Sequence, residues 1–131
     1  MPTAMVTGAN RGIGLETVRQ LLDRDYEVHA TYRSGKGGLA DIDNPRLVLH
    51  QMDVRNTDEV VAAMEAIGPS LDLLVNNAGV SDGRWPTIED VDFDIVSDVM
   101  EVNAIAPVRV TQQALSLLAN GGGTVLMITS L

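Results

Sequence analysis

Cysteine is absent from the 131-residue chain, which excludes disulfides and thiolate metal sites. Lysine occurs once, at Lys36, and nine basic residues face 18 acidic ones, for a net charge of −9. Attraction to nucleic-acid phosphates needs a basic surface, so this balance argues against nucleic acid as a partner. The acidity fits either a protein of high-salt surroundings or a soluble protein from a genome that prefers arginine. No apolar run approaches the ~20 residues that span a bilayer. The start, Met1-Pro2-Thr3-Ala4-Met5, has no charged region ahead of its apolar stretch and is not the pattern of a secretory leader. A soluble, cytoplasmic protein without membrane attachment is therefore expected. Two histidines, His29 and His50, stand alone in the sequence with no acidic cluster beside them, so no metal site is expected.

What the sequence does contain is an alternation of short apolar runs with amphipathic stretches. Strands are predicted over Ala4–Val6, Glu27–Tyr32, Arg46–Met52, Leu71–Val75 and Thr124–Ile128. Helices are predicted over Ile13–Arg24, from Asn56 or Thr57 to Gly68-Pro69, over Asp90–Val102, and from Pro107 to Ala119. Ser34–Asn44 holds three glycines and reads as a loop or a short irregular helix. Trp85, in the loop with Gly83 and Pro86, reads as a loop anchor. Strands that are apolar throughout, each followed by a helix, indicate a parallel sheet covered on both faces. The expected class is α/β, a doubly wound parallel sheet of order 3-2-1-4-5. Its ligand crevice should lie beyond the strand ends where the order reverses, between the first and fourth strands.

Thr7-Gly8-Ala9-Asn10-Arg11-Gly12-Ile13-Gly14 occupies that switch point. Glycine is needed where a backbone turns sharply and lets a pyrophosphate approach, and a helix N-terminus there offers free N–H groups to the anion. A glycine triplet alone is weak evidence, because an unliganded turn can look the same. Here it follows a predicted strand and opens a predicted helix, the context that a dinucleotide site requires.

The spacing Thr-Gly-x-x-x-Gly-x-Gly resembles the cofactor loop of the short-chain dehydrogenase/reductase family, whose fold is of Rossmann type. The resemblance runs through the whole chain. Asp53-Val54 matches the family's adenine contact. Asn76-Asn77-Ala78-Gly79 matches its turn after the fourth strand. Asn103 matches the asparagine of its catalytic group, and Ser130 stands where the catalytic serine is found. Each also has a plainer reading, Asp53 as a turn residue, Asn77 and Gly79 as turn formers, Asn103 as a helix-end asparagine and Ser130 as an ordinary hydroxyl, and their common register is what carries the resemblance. The resemblance implies that Gly8, Asn10, Arg11, Gly12, Ile13 and Gly14 hold the pyrophosphate region. It places Asp53 and Val54 at the adenine, and Asn77, Ala78 and Gly79 at the ribose and the turn. Ser130 would bond the substrate oxygen, and Asn103 would support a proton-relay water.

A carboxylate at the end of the second strand would favour NAD, whereas an arginine accommodates a 2′-phosphate. This chain has Thr31-Tyr32-Arg33-Ser34, with Arg33 after the strand and Arg11 in the glycine loop. NADP(H) is therefore expected over NAD, as in the family's NADP-preferring members, with Arg33 as a merely solvated arginine the alternative. The implied activity is hydride transfer between nicotinamide and a small carbonyl or alcohol substrate.

The family's Tyr-x-x-x-Lys pair does not occur: the tyrosines are Tyr26 and Tyr32, and neither has lysine four residues on. The family's last strands, their helices and its substrate loop are also missing. The expectation is one dinucleotide-binding domain, residues 1–131, incomplete at its C-terminal end and with little turnover of its own. A non-catalytic nucleotide-binding or interaction module is the alternative. Open strand edges and apolar helix faces promote association, so a homo-oligomer is expected.

Overall fold

The computed structural model describes residues 1–81 and 85–129. Gly83 and Ser130, both singled out in the sequence, lie outside the described residues. Five strands form one parallel sheet: β1 (Thr3–Val6), β2 (Glu27–Tyr32), β3 (Leu47–Gln51), β4 (Leu73–Asn76) and β5 (Thr124–Met127). Their order is β3-β2-β1-β4-β5, the order expected. The reversal falls between β1 and β4, which pair in parallel with Met5 opposite Leu74.

The apolar strands are explained by cover on both faces. Met5 and Leu74 face one layer, where Val60 and Met64 of helix α2 (Thr57–Ile67) and Val110 and Leu118 of helix α4 (Ala106–Asn120) close over them. Ala4, Val6 and Val75 face the other layer and meet Val18 and Leu22 of helix α1 (Gly12–Asp23). Leu39, in a short 3₁₀ turn at Gly37–Asp41, is buried against that second layer. The glycine-rich stretch after β2 therefore folds back over α1 instead of running free.

Helix starts follow the sequence signals closely. Asn56 caps α2 by accepting from the Glu59 N–H. Asp92 caps helix α3 (Phe93–Met100), which thus begins three residues later than expected; Ile88–Asp90 forms a separate 3₁₀ turn capped by Thr87. The larger departure lies between α3 and α4. The sequence suggests two helices with a break around Asn103, but the chain runs on through a π turn at Glu101–Ile105. There the Ala106 N–H reaches five residues back to the Glu101 carbonyl. Pro107, the second residue of α4, has no N–H for the carbonyl four residues back, so a widened turn just before it costs little.

The two histidines are not isolated. His29 on β2 and His50 on β3 lie two residues apart in the parallel register, since Thr31 pairs with His50. His29 Nδ1 stands 2.8 Å from His50 Nε2, and His29 Nε2 stands 2.9 Å from Glu27 Oε1. Glu27 accepts only, so with both rings neutral the Nε2 proton of His29 goes to Glu27 and the Nε2 proton of His50 to His29. Among the described residues no group of three or more His, Cys, Asp or Glu is placed to hold a metal.

β5 borders β4 alone among the described strands, and Val125, Leu126 and Met127 are exposed along it. α3 buries none of its residues, and Phe93 is 77 % exposed. Among the described residues no helix is long and apolar enough to cross a membrane.

Candidate functional site

The carboxyl ends of β1, β2 and β4, with the segment after β3, surround a cleft of about 660 Å³. Gly8, Asn10, Arg11, Gly12 and Ile13 form its floor from the β1–α1 turn. Arg33 and Ser34 stand at the end of β2, Met52, Asp53 and Val54 after β3, and Asn77 to Val80 after β4. The structure thus gathers into one cleft every predicted binding residue except Gly14.

Gly14 has a packing role. A Cβ there would overlap Asn77 Nδ2 and lie 2.6 Å from the Gly8 carbonyl. Only glycine lets α1 start this close to the turn after β4. Gly8 has φ +59°, and a Cβ on it would come within 2.7 Å of the Ala78 backbone. Nothing lies within 4 Å of a Cβ built on Gly12, so that residue borders open space.

The turn after β4 is held by Thr7. Its Oγ1 accepts from the N–H groups of Asn77 and Ala78, each at 3.0 Å. Asn77 spends both protons of its side-chain amide on the carbonyls of Thr7 and Gly8, at 3.2 and 3.0 Å. On the other side, Ala9 and Gly8 donate to the Thr31 carbonyl and hydroxyl at 2.8 and 3.3 Å. The glycine loop is therefore fastened to β2 and β4 at once, leaving its outward face for a ligand.

α1 opens without a side-chain cap and with no acidic residue in its first turn. α2 and α3, by contrast, have a capping side chain and acids in the first turn. The first-turn N–H groups of α1 and its positive dipole end are left to an anion in the cleft. Neither Arg11 nor Arg33 has an ion-pair partner among the described residues.

Asp53 is the cleft's carboxylate. It accepts from the Arg55 side chain, which holds its carboxyl below the usual carboxylate range; Arg33 adds a smaller push the same way. The bonds to Asp53, and next those to Asp98, raise Arg55 above the ordinary arginine value. Ionised Asp53 is an acceptor only, suited to an amino group.

Asn103 lies beside the cleft, in the π turn. Its Oδ1 accepts from the Val80 N–H and its Nδ2 donates to the Val80 carbonyl, both at 2.8 Å. The side chain thereby ties the chain after Gly79 to the α3–α4 rod. Ser34, Met52, Val80, Val102 and Ile128 also line the cleft without having been singled out from the sequence. Val80 was detectable, as the residue directly after the Asn-Asn-Ala-Gly turn. The apolar positions Met52, Val102 and Ile128 look like any core residue in a linear sequence.

The model of a family described as short chain dehydrogenase matches residues 2–131. Over 90 residues, 60 % of this chain and 29 % of the relative, the sequence is 43 % identical to the (−)-isopiperitenone reductase of Mentha piperita. It is 35 % identical to the short-chain dehydrogenase PC-15 of Penicillium crustosum, over 98 % of this chain and 48 % of that protein. Among solved structures, the NADPH-bound carbonyl reductase from chicken fatty liver superposes with a TM-score of 0.77 at 36 % identity, covering 90 % of this chain and 52 % of the other. The chain spans about half the length of several curated relatives that it matches, and less of others.

Proposed function

The chain belongs to the short chain dehydrogenase family, and from that premise we propose that it binds NADP(H) in the switch-point cleft for reduction of a small carbonyl compound, or oxidation of the matching alcohol. One observation carries the reading. An uncapped helix start and two guanidinium groups without ion-pair partners among the described residues, Arg11 and Arg33, border the same cleft as an ionised Asp53. That is a donor set for phosphates at one side and an acceptor for a base amino group at the other. The chicken carbonyl reductase, similar in fold and sequence, was solved with NADPH bound.

In this reading the Gly8–Gly14 turn and the first N–H groups of α1 hold the pyrophosphate. Arg33, with Arg11 beside it, meets the 2′-phosphate, because a guanidinium fork pairs well with phosphate oxygens. Asp53 accepts from adenine and Val54 gives the base an apolar wall. Asn77 to Gly79 support the ribose, positioned by Thr7. Ser130 would bond the substrate oxygen, and Asn103 would hold the backbone around Val80 and support a proton-relay water. Bound NADPH would supply the hydride. No Tyr-x-x-x-Lys pair occurs among the 131 residues, so the proposal gives this chain the cofactor-holding role and expects little or no carbonyl turnover from it alone.

Titrating NADPH and NADH into the wild type and Arg33→Ala tests the cofactor choice. Arg33→Ala should lose about ten- to hundredfold in NADPH affinity, the worth of a charge-assisted bond, with NADH unchanged. An equal loss for both cofactors refutes the 2′-phosphate contact.

A further inference from the structure

Asp53 and Arg55 are joined by more bonds than an adenine contact needs. The Arg55 N–H donates to Asp53 Oδ1 at 2.9 Å, and its Nε lies 3.1 Å from the same oxygen. Nη2 donates to Oδ2 at 2.8 Å. The remaining arm, Nη1, reaches Asp98 on α3 at 2.5 Å. One guanidinium is thus clamped between the segment after β3 and a helix 43 residues further along the chain.

Counting acceptor positions shows what this leaves. The Asp53 N–H goes to Glu59 Oε1 at 3.3 Å, and the Asp53 carbonyl accepts from the Asn56 N–H at 2.9 Å. A carboxylate offers about four acceptor positions. Oδ1 takes two donors from Arg55. Oδ2 takes one close donor and a longer approach from Nε at 3.3 Å. The single Nε proton lies nearer Oδ1, so Oδ2 keeps the larger spare capacity of Asp53, on a carboxylate whose rotation is fixed by a planar fork. A fixed acceptor binds more tightly and more selectively than one that must be ordered on binding.

We propose that Arg55 is a positioning residue for base recognition: clamped between Asp53 and Asp98, it sets the Asp53 carboxylate as a single fixed acceptor for the exocyclic amino group of adenine. The proposal rests on the reading that Asp53 faces adenine. It adds that the selectivity for that base is set by Arg55, which itself does not touch the nucleotide, and that α3 is coupled to it through Asp98.

The test compares NADPH with its hypoxanthine analogue, in which a carbonyl oxygen replaces the amino group. Both are titrated into the wild type, Arg55→Met, Arg55→Lys and Asp98→Asn, with a thermal melt of each variant. The wild type should prefer the adenine form by about tenfold or more, the worth of one hydrogen bond to a charged group. Arg55→Met should bring the ratio of the two affinities towards one. Arg55→Lys, which keeps the charge but loses the planar fork, should lower the ratio in part, as should Asp98→Asn. A variant that was merely less well folded would weaken both ligands together and keep the ratio. No base preference in the wild type would overturn the adenine reading of Asp53. A wild-type preference retained in full by Arg55→Met or Arg55→Lys would overturn the role of Arg55, and an unchanged ratio in Asp98→Asn would overturn the coupling to α3.

Discussion

Replacing Thr7 with valine should damage both the fold and the cleft, by an amount that can be worked out beforehand. Thr7 is buried at the end of β1, and its Oγ1 is the shared acceptor for two backbone N–H groups, Asn77 and Ala78, each at 3.0 Å. Valine fills the same volume, so Thr7→Val leaves no cavity and isolates the loss of the oxygen. Each buried donor left without a partner costs about 1–3 kcal/mol, so the pair amounts to about 2–6 kcal/mol. Thr7→Ser keeps the oxygen and loses one methyl, at a cost of about 1 kcal/mol. Against a domain stability of about 5–15 kcal/mol, the valine variant is badly weakened and the serine variant is not. Urea unfolding followed by circular dichroism measures the difference. With a slope of about 2 kcal/mol per molar, Thr7→Val should lower the midpoint by roughly 1–3 M without changing the slope. NADPH affinity should fall as well, because the turn that Thr7 holds forms one wall of the cleft. Equal midpoints for the valine and serine variants would refute the reasoning.

Three further outcomes follow from the same geometry. Burial, and to a lesser degree the neighbouring His29, hold His50 below the ordinary histidine value of about 6.5. As pH falls below that value the unfolded chain takes up the proton first, so stability should decline through the window between about 6.5 and the depressed folded value, then level off. His50→Gln should flatten that slope in urea midpoints taken from pH 7.5 to 5; an unchanged slope would assign it to other groups. Gly14→Ala should cost several-fold or more in NADPH affinity and lower the melting temperature, since its Cβ overlaps Asn77 Nδ2 and crowds the Gly8 carbonyl; wild-type values for both would show that α1 shifts without penalty. Asn103→Leu removes both bonds to Val80 and should speed amide hydrogen exchange at Val80, with exchange at β1 amides unaltered; unaltered exchange at Val80 as well would mean that the asparagine does not hold that segment.

Most of the fold was legible in the sequence because its signals are local. The apolar runs at Ala4–Val6 and Leu71–Val75 mark strands covered on both faces, and Asn56 marks a helix start through a bond to its own third-following residue. The sheet order followed from the alternation of strand and helix. The π turn at Glu101–Ile105 was not legible, because Pro107 suits the first turn of a new helix as well as a widened turn inside a continuous one. The His29–His50–Glu27 chain was missed because its two rings, 21 residues apart, meet only through the β2–β3 register. Arg55 was missed for a similar reason: its partner Asp98 becomes its neighbour only when α3 packs beside the segment after β3. That the glycine loop, Arg11, Arg33 and Asp53 meet in one cleft was legible, because a cleft at a switch point draws its lining from predictable strand ends.

The central claim is that this cleft binds a nicotinamide dinucleotide through its phosphates and prefers the 2′-phosphorylated form. Isothermal titration of the chain with NADPH and with NADH, at one salt concentration and pH, tests it most directly. NADPH should bind saturably and one-to-one, with NADH at least about tenfold weaker. Absence of saturable binding for both, in a chain shown to be folded by its melt, would contradict it.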